Sequence, residues 1–311
     1  MRSSLPTIRA LLPVVAAAVI AATPLDARAI DPWPGDAGTE IGKIGQAGGL
    51  PTGYEPSGAV WHPGLNQLLI VGDDGDVTKM DSDGTNQTTW SPGGDLEGIT
   101  IIDPQGSIAY LGREHPDAVL EFNLNTGLLT GNSWDLTTWM ASSSNNQGLE
   151  ALTWVDGRFY AGLQETGTIY IFELGAGGAV TFIGTMAAPG GRTDISGLHY
   201  DDTTATLYAI YDTTNVIVEM TADGTLLREY TLAGDNQEGV ALISSCPAGE
   251  ATVFISEDPG EVWRYGGYPV MCSAGEVPAL PRGWLVLVCA PVLLALATLK
   301  KRGPAPESSS H

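Results

Sequence analysis

The chain has 311 residues, of which 16% are charged and 40 are glycines. So little charge and so much glycine exclude a coiled coil or helical bundle, and 43% hydrophobic residues exclude a disordered chain. The formal net charge is −22, and half of the basic residues lie near the two ends, so the middle of the chain is strongly acidic. Such a surface repels phosphate backbones and anionic lipids, which excludes nucleic-acid binding and favours cations as small ligands.

The first 29 residues have the order of a secretory signal peptide. Arg2 and Arg9 flank the start of an apolar run over residues 10–22, and residues 27–29 (ARA) are small enough to precede a cleavage site. A retained membrane anchor is the alternative. The sequence predicts that residues 30–275 are exported across the inner membrane to the cell envelope.

Residues 30–275 contain five copies of one unit. Each copy begins with a short β-like run that contains a small polar or acidic residue near its start, at intervals of 40 to 53 residues. This spacing is close to that of a four-stranded propeller blade. The aligned positions are Ser57, Glu97, Glu150, Ser196 and Glu238.

Three further runs follow in most copies and complete the blade. The second run ends in an acid in each copy, and the third follows a turn. The fifth copy lacks a fourth run, whereas the segment Thr39 to Gln46 precedes the first copy without a partner. Donating this segment to the last blade would close the ring and remove exposed sheet edges. We therefore predict an all-β fold, a five-bladed β-propeller closed by an N-terminal strand, with a β-sandwich as the alternative.

The cysteines and the C-terminal residues extend this prediction. Cys246 and Cys272 lie in loop-like surroundings of the exported part, where oxidising conditions favour a disulfide, whereas Cys289 lies in an apolar tail. Residues 276–282 form a linker, residues 283–302 form an apolar segment that ends in basic residues, and residues 303–311 form a disordered tail. The sequence predicts a transmembrane helix over 283–302 with its basic end in the cytoplasm.

The C-terminal residues also resemble a sorting signal. Val277-Pro278-Ala279-Leu280 and Trp284, followed by the apolar segment and the basic cluster, resemble the IPTL-CTERM and PEP-CTERM tails of bacterial proteins. The resemblance implies surface sorting, and a plain membrane anchor is the alternative.

The five repeats predict two rings of side chains at one end of the propeller axis. The first ring lies at the starts of the innermost strands, and the second lies at the ends of the second strands. Crowded carboxylates cannot all ionise without a cation, and calcium accepts six to eight oxygen ligands in flexible geometry. Capping of turns or of backbone N–H groups is the alternative for the second ring. The candidate calcium ligands are Glu97, Glu150 and Glu238 in the first ring and Asp73, Glu114, Glu165, Asp212 and Glu257 in the second.

Other residue types give weaker signals. His62, His115 and His199 lie in different blades without metal-ligand spacing, which is typical of surface or loop histidines, although His199 follows an inner strand toward the channel. Ser57 and Ser196 have no nearby histidine to activate them. Four aromatic residues follow the repeat phase and are predicted to pack between blades: Trp61, Trp154, Tyr200 and Trp263.

Several repeat phrases resemble the SdiA-regulated family, which is related to the NHL-repeat propellers. They are DLEGIT at Asp95, LEALTW at Leu149, DISGL at Asp194, QEGVAL at Gln237 and SEDPGEVWRY at Ser256. The resemblance implies a five-bladed propeller with bound calcium in an exported or envelope-associated bacterial protein. Ser57 and Ser196 depart from it, because neither is an acid.

Two function classes remain open at this point. The first is an envelope binding or scaffold module whose calcium ion rigidifies the acidic end for a protein or glycan partner. The second is a calcium-dependent hydrolase of the lactonase-like, esterase-like or phytase-like kind, in which the ion polarises a carbonyl or phosphoryl oxygen and a ring carboxylate acts as base. A hydrolase of this kind usually has a neutral polar ligand such as asparagine beside the metal. Asn145, Asn146 and Asn236 lie near the right loops but outside the strand phase, which favours the binding module.

Overall fold

The computed structural model describes residues 29–46, 49–144 and 146–272. The predicted signal peptide, sorting motif and transmembrane helix lie outside these residues, apart from Ala29. Described helices are short 3₁₀ turns at Gln164–Thr166, Ala176–Gly178, Pro189–Gly191 and Asp212–Thr214, and none of them has the length and apolar character needed to cross a membrane.

The described residues form five antiparallel four-stranded sheets, arranged as the blades of a propeller. The prediction of a five-bladed propeller is confirmed. Blade 1 contains β2 (Pro56–His62), β3 (Gln67–Gly72), β4 (Asp76–Met80) and β5 (Thr88–Trp90). Blade 2 contains β6 (Leu96–Ile101), β7 (Ile108–Arg113), β8 (Ala118–Asn123) and β9 (Leu128–Asp135).

Blades 3 and 4 repeat this order. Blade 3 contains β10 (Leu149–Val155), β11 (Arg158–Leu163), β12 (Thr168–Leu174) and β13 (Val180–Met186). Blade 4 contains β14 (Ile195–Asp201), β15 (Thr206–Tyr211), β16 (Val216–Met220) and β17 (Leu226–Thr231).

Blade 5 is built from both ends of the described chain. It contains β18 (Gln237–Ser245), β19 (Glu250–Glu257), β20 (Glu261–Pro269) and, as its outermost strand, β1 (Thr39–Glu40). Thr39 lies opposite Arg264 in antiparallel register, and the backbone N–H of Ile41 continues the contact to Val262 O at 2.7 Å. The predicted N-terminal closure is therefore confirmed, over a shorter strand than the segment suggested.

Apolar side chains between neighbouring blades hold the ring together. Five clusters of buried residues lie in the described chain, and each joins two adjacent blades. Tyr211 packs between blades 3 and 4, and Phe254 packs between blades 5 and 1. Burying one such side chain contributes about 1.5–3 kcal/mol, so the interblade clusters provide the main stabilisation of the ring.

A disulfide joins Cys246, which follows β18, to Cys272, which follows β20. The two Cα atoms are 5.3 Å apart. The bond therefore fastens the last residues of the described chain to the innermost strand of blade 5.

Candidate metal centre

A β-bulge near the start of each innermost strand sets the direction of the first-ring side chains. In β10, Leu149 pairs with Leu163 and Ala151 pairs with Gly162, so Glu150 is the extra residue of the bulge. The registers of the other four inner strands shift at the equivalent point. A bulge re-aims the side chain of the extra residue, so one local device brings the first ring to one end of the axis. We call this end the acidic mouth, and its first-ring residues are Ser57, Glu97, Glu150, Ser196 and Glu238.

A layer of small residues closes the channel directly below the acidic mouth. A Cβ atom at Gly98 would lie 2.8 Å from the backbone nitrogen of Leu152, and one at Gly239 would lie 2.3 Å from Ser57 O. No space for a water molecule remains at this level. We call it the glycine layer, and it consists of Gly58, Gly98, Ala151, Gly197 and Gly239.

The three first-ring glutamates have strongly raised pKa values. Burial raises the pKa of Glu97 to about 9, with a further contribution from the neighbouring Asp95 carboxyl. Burial, followed by repulsion from Glu97 and Glu238, raises the pKa of Glu150 well above its ordinary value. For Glu238, burial and the charge of Asp212 raise the pKa to about 8. Of the three glutamates, Glu150 is therefore influenced by both of the others.

Four second-ring acids also lie at the mouth. Burial is the larger cause and interaction with Glu55 the smaller cause that raise the pKa of Asp73 to about 7. Burial and, to a smaller extent, repulsion from Glu261 raise the pKa of Glu257 to about 7. Glu114 and Asp212 have raised pKa values because they are buried, and each lies near another carboxylate of the mouth.

Two of these acids also have the capping role that was the alternative. The backbone N–H of Gly148 donates to Glu114 Oε1 at 2.5 Å, and that of Gln237 donates to Asp212 Oδ1 at 3.1 Å. Each bond joins a second strand to the innermost strand of the next blade. The carboxylates therefore connect neighbouring blades and still contribute negative charge to the mouth.

Glu165 does not join this buried group. Its carboxylate accepts hydrogen bonds from the backbone N–H of Ser143, at 3.0 Å, and from the Ser143 hydroxyl. These bonds lower the pKa of Glu165, whereas the pKa values of the other candidate acids are raised. The sequence assigned Glu165 to the second ring by its repeat position alone, and a local loop contact directs its side chain elsewhere.

A third set of polar groups lies at the mouth, and its three acids were not singled out from the sequence. Asp95 raises the pKa values of Glu97 and Glu114, and Asp194 raises those of Glu150, Asp212 and Glu238. Each member lies two residues before a first-ring position, so the repeat alignment contained the signal. The set consists of Glu55, Asp95, Asp194 and Asn236.

The histidines divide between the mouth and the rest of the molecule. His115 Nδ1 lies 3.4 Å from Glu114 Oε2, and one donor atom from each of Asp95, Glu114 and His115 lies within 4.8 Å of the others. Sequence spacing gave no hint of this grouping. His62 is the buried last residue of β2 and not a surface or loop residue as expected. Its ring nitrogens are satisfied, because Nε2 lies 3.1 Å from Gly106 O and Nδ1 accepts the Leu65 N–H.

The two first-ring serines link blades. Ser196 Oγ donates to Gln237 O at 2.5 Å, and Ser57 O accepts a hydrogen bond from the Ser256 hydroxyl. Where the repeat lacks an acid, a short polar side chain or its backbone therefore bonds to the adjacent blade.

The donor set of the mouth fits a hard divalent cation. Among the described residues, arginines form ion pairs with Glu173, Glu229 and Glu219, which are not acids of the mouth. The described ion pair that does include a mouth acid joins His115 to Glu114. Oxygen atoms Asp73 Oδ1 and Glu257 Oε1 are buried without a hydrogen-bond partner. This group of carboxylates is rich in oxygen donors and has no arginine or lysine partner among the described ion pairs, so it suits a cation with several oxygen ligands.

Comparisons with known proteins agree with the fold. The family described as SdiA-regulated matches residues 182–254, which run from β13 through blade 4 into β19. No curated protein matches the sequence. The match supports the resemblance seen in the repeat phrases, over the part of the chain that it covers.

Solved structures are similar at low identity. The crystal structure of Myxococcus xanthus glutaminyl cyclase is 13% identical, with 70% of this chain and 92% of that chain covered and a TM-score of 0.50. The Cps50 (Swd1) β-propeller domain of Myceliophteria thermophila is 11% identical, with 74% and 70% covered and a TM-score of 0.43. At these identities the likeness concerns the fold alone.

Proposed function

We propose that the acidic mouth binds a calcium ion and that the protein is an exported propeller of the cell envelope that acts as a binding or scaffold module. The observation that supports calcium is the set of buried carboxylates with raised pKa values, which form no ion pair with an arginine or lysine among the described residues. Glu97, Glu150 and Glu238 would hold the ion, with Asp95 and Asp194 beside them. A bound calcium ion supplies positive charge that allows these groups to ionise together.

A cleft beside the mouth is the proposed position of a partner. It has a volume of about 460 Å³ and is lined by residues of blade 5, among them Asn236, Glu257 and the partly exposed ring of Trp263. An aromatic face next to acidic and amide groups suits a glycan or a protein segment. Calcium would fix the adjoining strand ends and so order this surface.

A melting experiment tests the ion. We expect a chelator to lower the melting temperature and added calcium to restore it. At a calcium concentration of 100 times the Kd, binding should increase the free energy of unfolding by about 2.7 kcal/mol. Magnesium and zinc serve as comparison ions, because magnesium demands stricter octahedral geometry and zinc prefers nitrogen and sulfur ligands. An unchanged melt under all conditions would end the ion hypothesis.

Substitutions test the ligands. Glu150→Gln together with Glu238→Gln removes two charges with little change in volume and should weaken calcium binding at least about tenfold in a calorimetric titration, equivalent to about 1.4 kcal/mol. Glu165→Gln is the matched control, because this acid has an equivalent repeat position but binds Ser143. If both variants lost calcium affinity to the same extent, the ion would have to bind outside the mouth.

The hydrolase alternative has one specific observation in its favour. Asn236 stands two residues before Glu238, where other blades have Asp95 and Asp194, so a neutral amide lies among the acids of the mouth. Calcium-dependent hydrolysis would use the ion to polarise the substrate and a carboxylate as base. A panel of lactones, aryl esters and phosphate esters assayed with calcium separates the two classes, since turnover supports the enzyme and its absence supports the binding module.

A further inference from the structure

A second cavity lies at the opposite end of the propeller axis. It has a volume of about 410 Å³, within the range of small-molecule sites, and the glycine layer separates it from the acidic mouth. Its floor is formed by residues three positions after the first-ring residues on the same inner strands, among them Thr100, Thr153 and His199. We call it the aromatic cavity because of the three rings that also line it, those of Trp61, Trp154 and Tyr200.

The aromatic cavity has an imidazole in its floor. His199 is only 8% exposed, lines the cavity, and its ring centroid lies 6.3 Å from that of Tyr208. The neighbouring Thr153 hydroxyl accepts the Tyr200 N–H at 3.0 Å. An imidazole at the cavity wall can form a hydrogen bond with a ligand that enters the cavity.

The imidazole is neutral at physiological pH. Burial lowers the pKa of His199 to about 4, against the opposing effect of the Asp201 carboxylate. A neutral ring can accept a hydrogen bond through one nitrogen, and it does not repel a positively charged ligand.

The walls combine aromatic faces with negative charge. Trp61 is held in place by stacking on Phe254, with ring centroids 5.7 Å apart, and Trp154 and Tyr200 are partly exposed. The exposed carboxylates Asp156 and Asp202 lie among the lining residues, which include no lysine or arginine. Aromatic faces beside carboxylates are the usual surroundings of organic ammonium groups.

We propose that the aromatic cavity binds a small organic cation, whose ammonium group lies against Trp154 and Tyr200 and whose hydroxyl or N–H group donates to His199. This site differs from the acidic mouth in its residues, its location and its ligand class. It does not depend on calcium at the mouth.

Calorimetric titration of the purified full chain with choline tests the proposal. The matched probe is 3,3-dimethylbutan-1-ol, which has the same shape without the charge. We expect choline to bind at least about tenfold more tightly than the alcohol, because only the charged ammonium group is attracted by the aromatic faces and the carboxylates. Comparable Kd values for both, no binding of choline, or binding of neutral monosaccharides in place of choline would overturn the proposal.

Variants locate the ligand within the cavity. Asp156→Asn with Asp202→Asn should weaken choline about tenfold, and Asn is compatible with the positive φ of 45° at position 156. Trp154→Ala should have an effect of similar size, whereas Phe182→Ala, which removes an exposed aromatic ring on β13 outside the cavity, should leave the Kd unchanged. Retention of wild-type affinity by both the aspartate variant and Trp154→Ala would contradict the assignment, and circular dichroism checks that each variant is folded.

His199 has a separate readout. His199→Phe keeps a ring of similar size and removes the acceptor, so it should weaken choline, which has a hydroxyl group, but not tetramethylammonium, which has no donor. Equal effects on both ligands would contradict the hydrogen bond to His199. Glu150→Gln with Glu238→Gln should not change choline binding, so a failure of the calcium proposal and a failure of this one give different results.

Discussion

The two ends of the propeller axis are built from the same five inner strands, yet they have opposite chemistry. At the start of each strand a β-bulge places a first-ring residue at the acidic mouth. Three residues later the strand is regular, and Thr100, Thr153 and His199 form the floor of an aromatic cavity whose walls also contain Asp156 and Asp202. Between them, the glycine layer brings the backbones so close that no water fits. A single repeat can therefore support two sites with independent ligands.

The two ends also differ in how they are held. At the acidic mouth, buried carboxylates repel one another and bond to neighbouring blades through backbone N–H groups. Near the aromatic cavity a covalent bond is present, because Cys246 lies beside Thr203 of the cavity lining, with Sγ 3.9 Å from Thr203 O, and is joined to Cys272. The first end should respond to pH and cations, and the second to reduction.

Removing the disulfide is expected to have the largest effect. The two cysteines are 26 residues apart, for which loop closure gives about 3.5 kcal/mol of stabilisation. Cys246→Ser with Cys272→Ser should therefore lower the melting temperature by roughly 7–14 °C in calorimetry. Calcium affinity should stay unchanged, and a loss of calcium binding in this variant would show that the two ends are coupled.

The glycine layer is the next target, because it separates the two ends. A Cβ atom at Gly239 would lie 2.3 Å from Ser57 O and 2.5 Å from Ser256 Oγ, so Gly239→Ala should destabilise by roughly 1–3 kcal/mol through overpacking. Gly184→Ala is the control, since nothing lies within 4 Å of its Cβ position. Chemical denaturation measures both, and a Gly239→Ala variant as stable as the control would contradict the close contact between inner strands.

Repeat spacing and strand patterns predicted the blade number, the closing strand and most of the mouth, because they depend on periodic positions that local sequence reveals. Glu165 was misplaced because its direction depends on Ser143, which lies in a loop that no repeat pattern describes. The grouping of His115 with Asp95 arises from the packing of a strand end against the preceding loop, which spacing does not show. Trp154 and Tyr200 were expected between blades, and their exposure to the cavity depends on the shape of the whole ring.

The pH dependence of stability should be the smallest effect and the most specific to the acidic mouth. The pKa values of Glu97 and Glu238 in the folded protein are about 9 and about 8, above the ordinary 4.5, because burial and neighbouring carboxylates favour the neutral form. A group of this kind binds its proton more tightly when folded. Its contribution to stability is complete below about pH 4.5 and is lost as the pH rises through about 8 to 9.

The metal-free protein should therefore melt at progressively lower temperature between pH 7 and pH 9, above the range in which His199 titrates, by several degrees in scanning calorimetry with chelator present. Saturating calcium should flatten this dependence, because the ion replaces the protons and stabilises the ionised form. In this range Glu150→Gln with Glu238→Gln should reduce the slope without calcium and leave the part due to Glu97, Asp73 and Glu257. His199→Phe should leave the slope above pH 7 unchanged, because burial lowers the pKa of His199 to about 4. An unreduced slope in the glutamine variant would assign the titrating groups to another part of the molecule and would remove the electrostatic difference between the two ends.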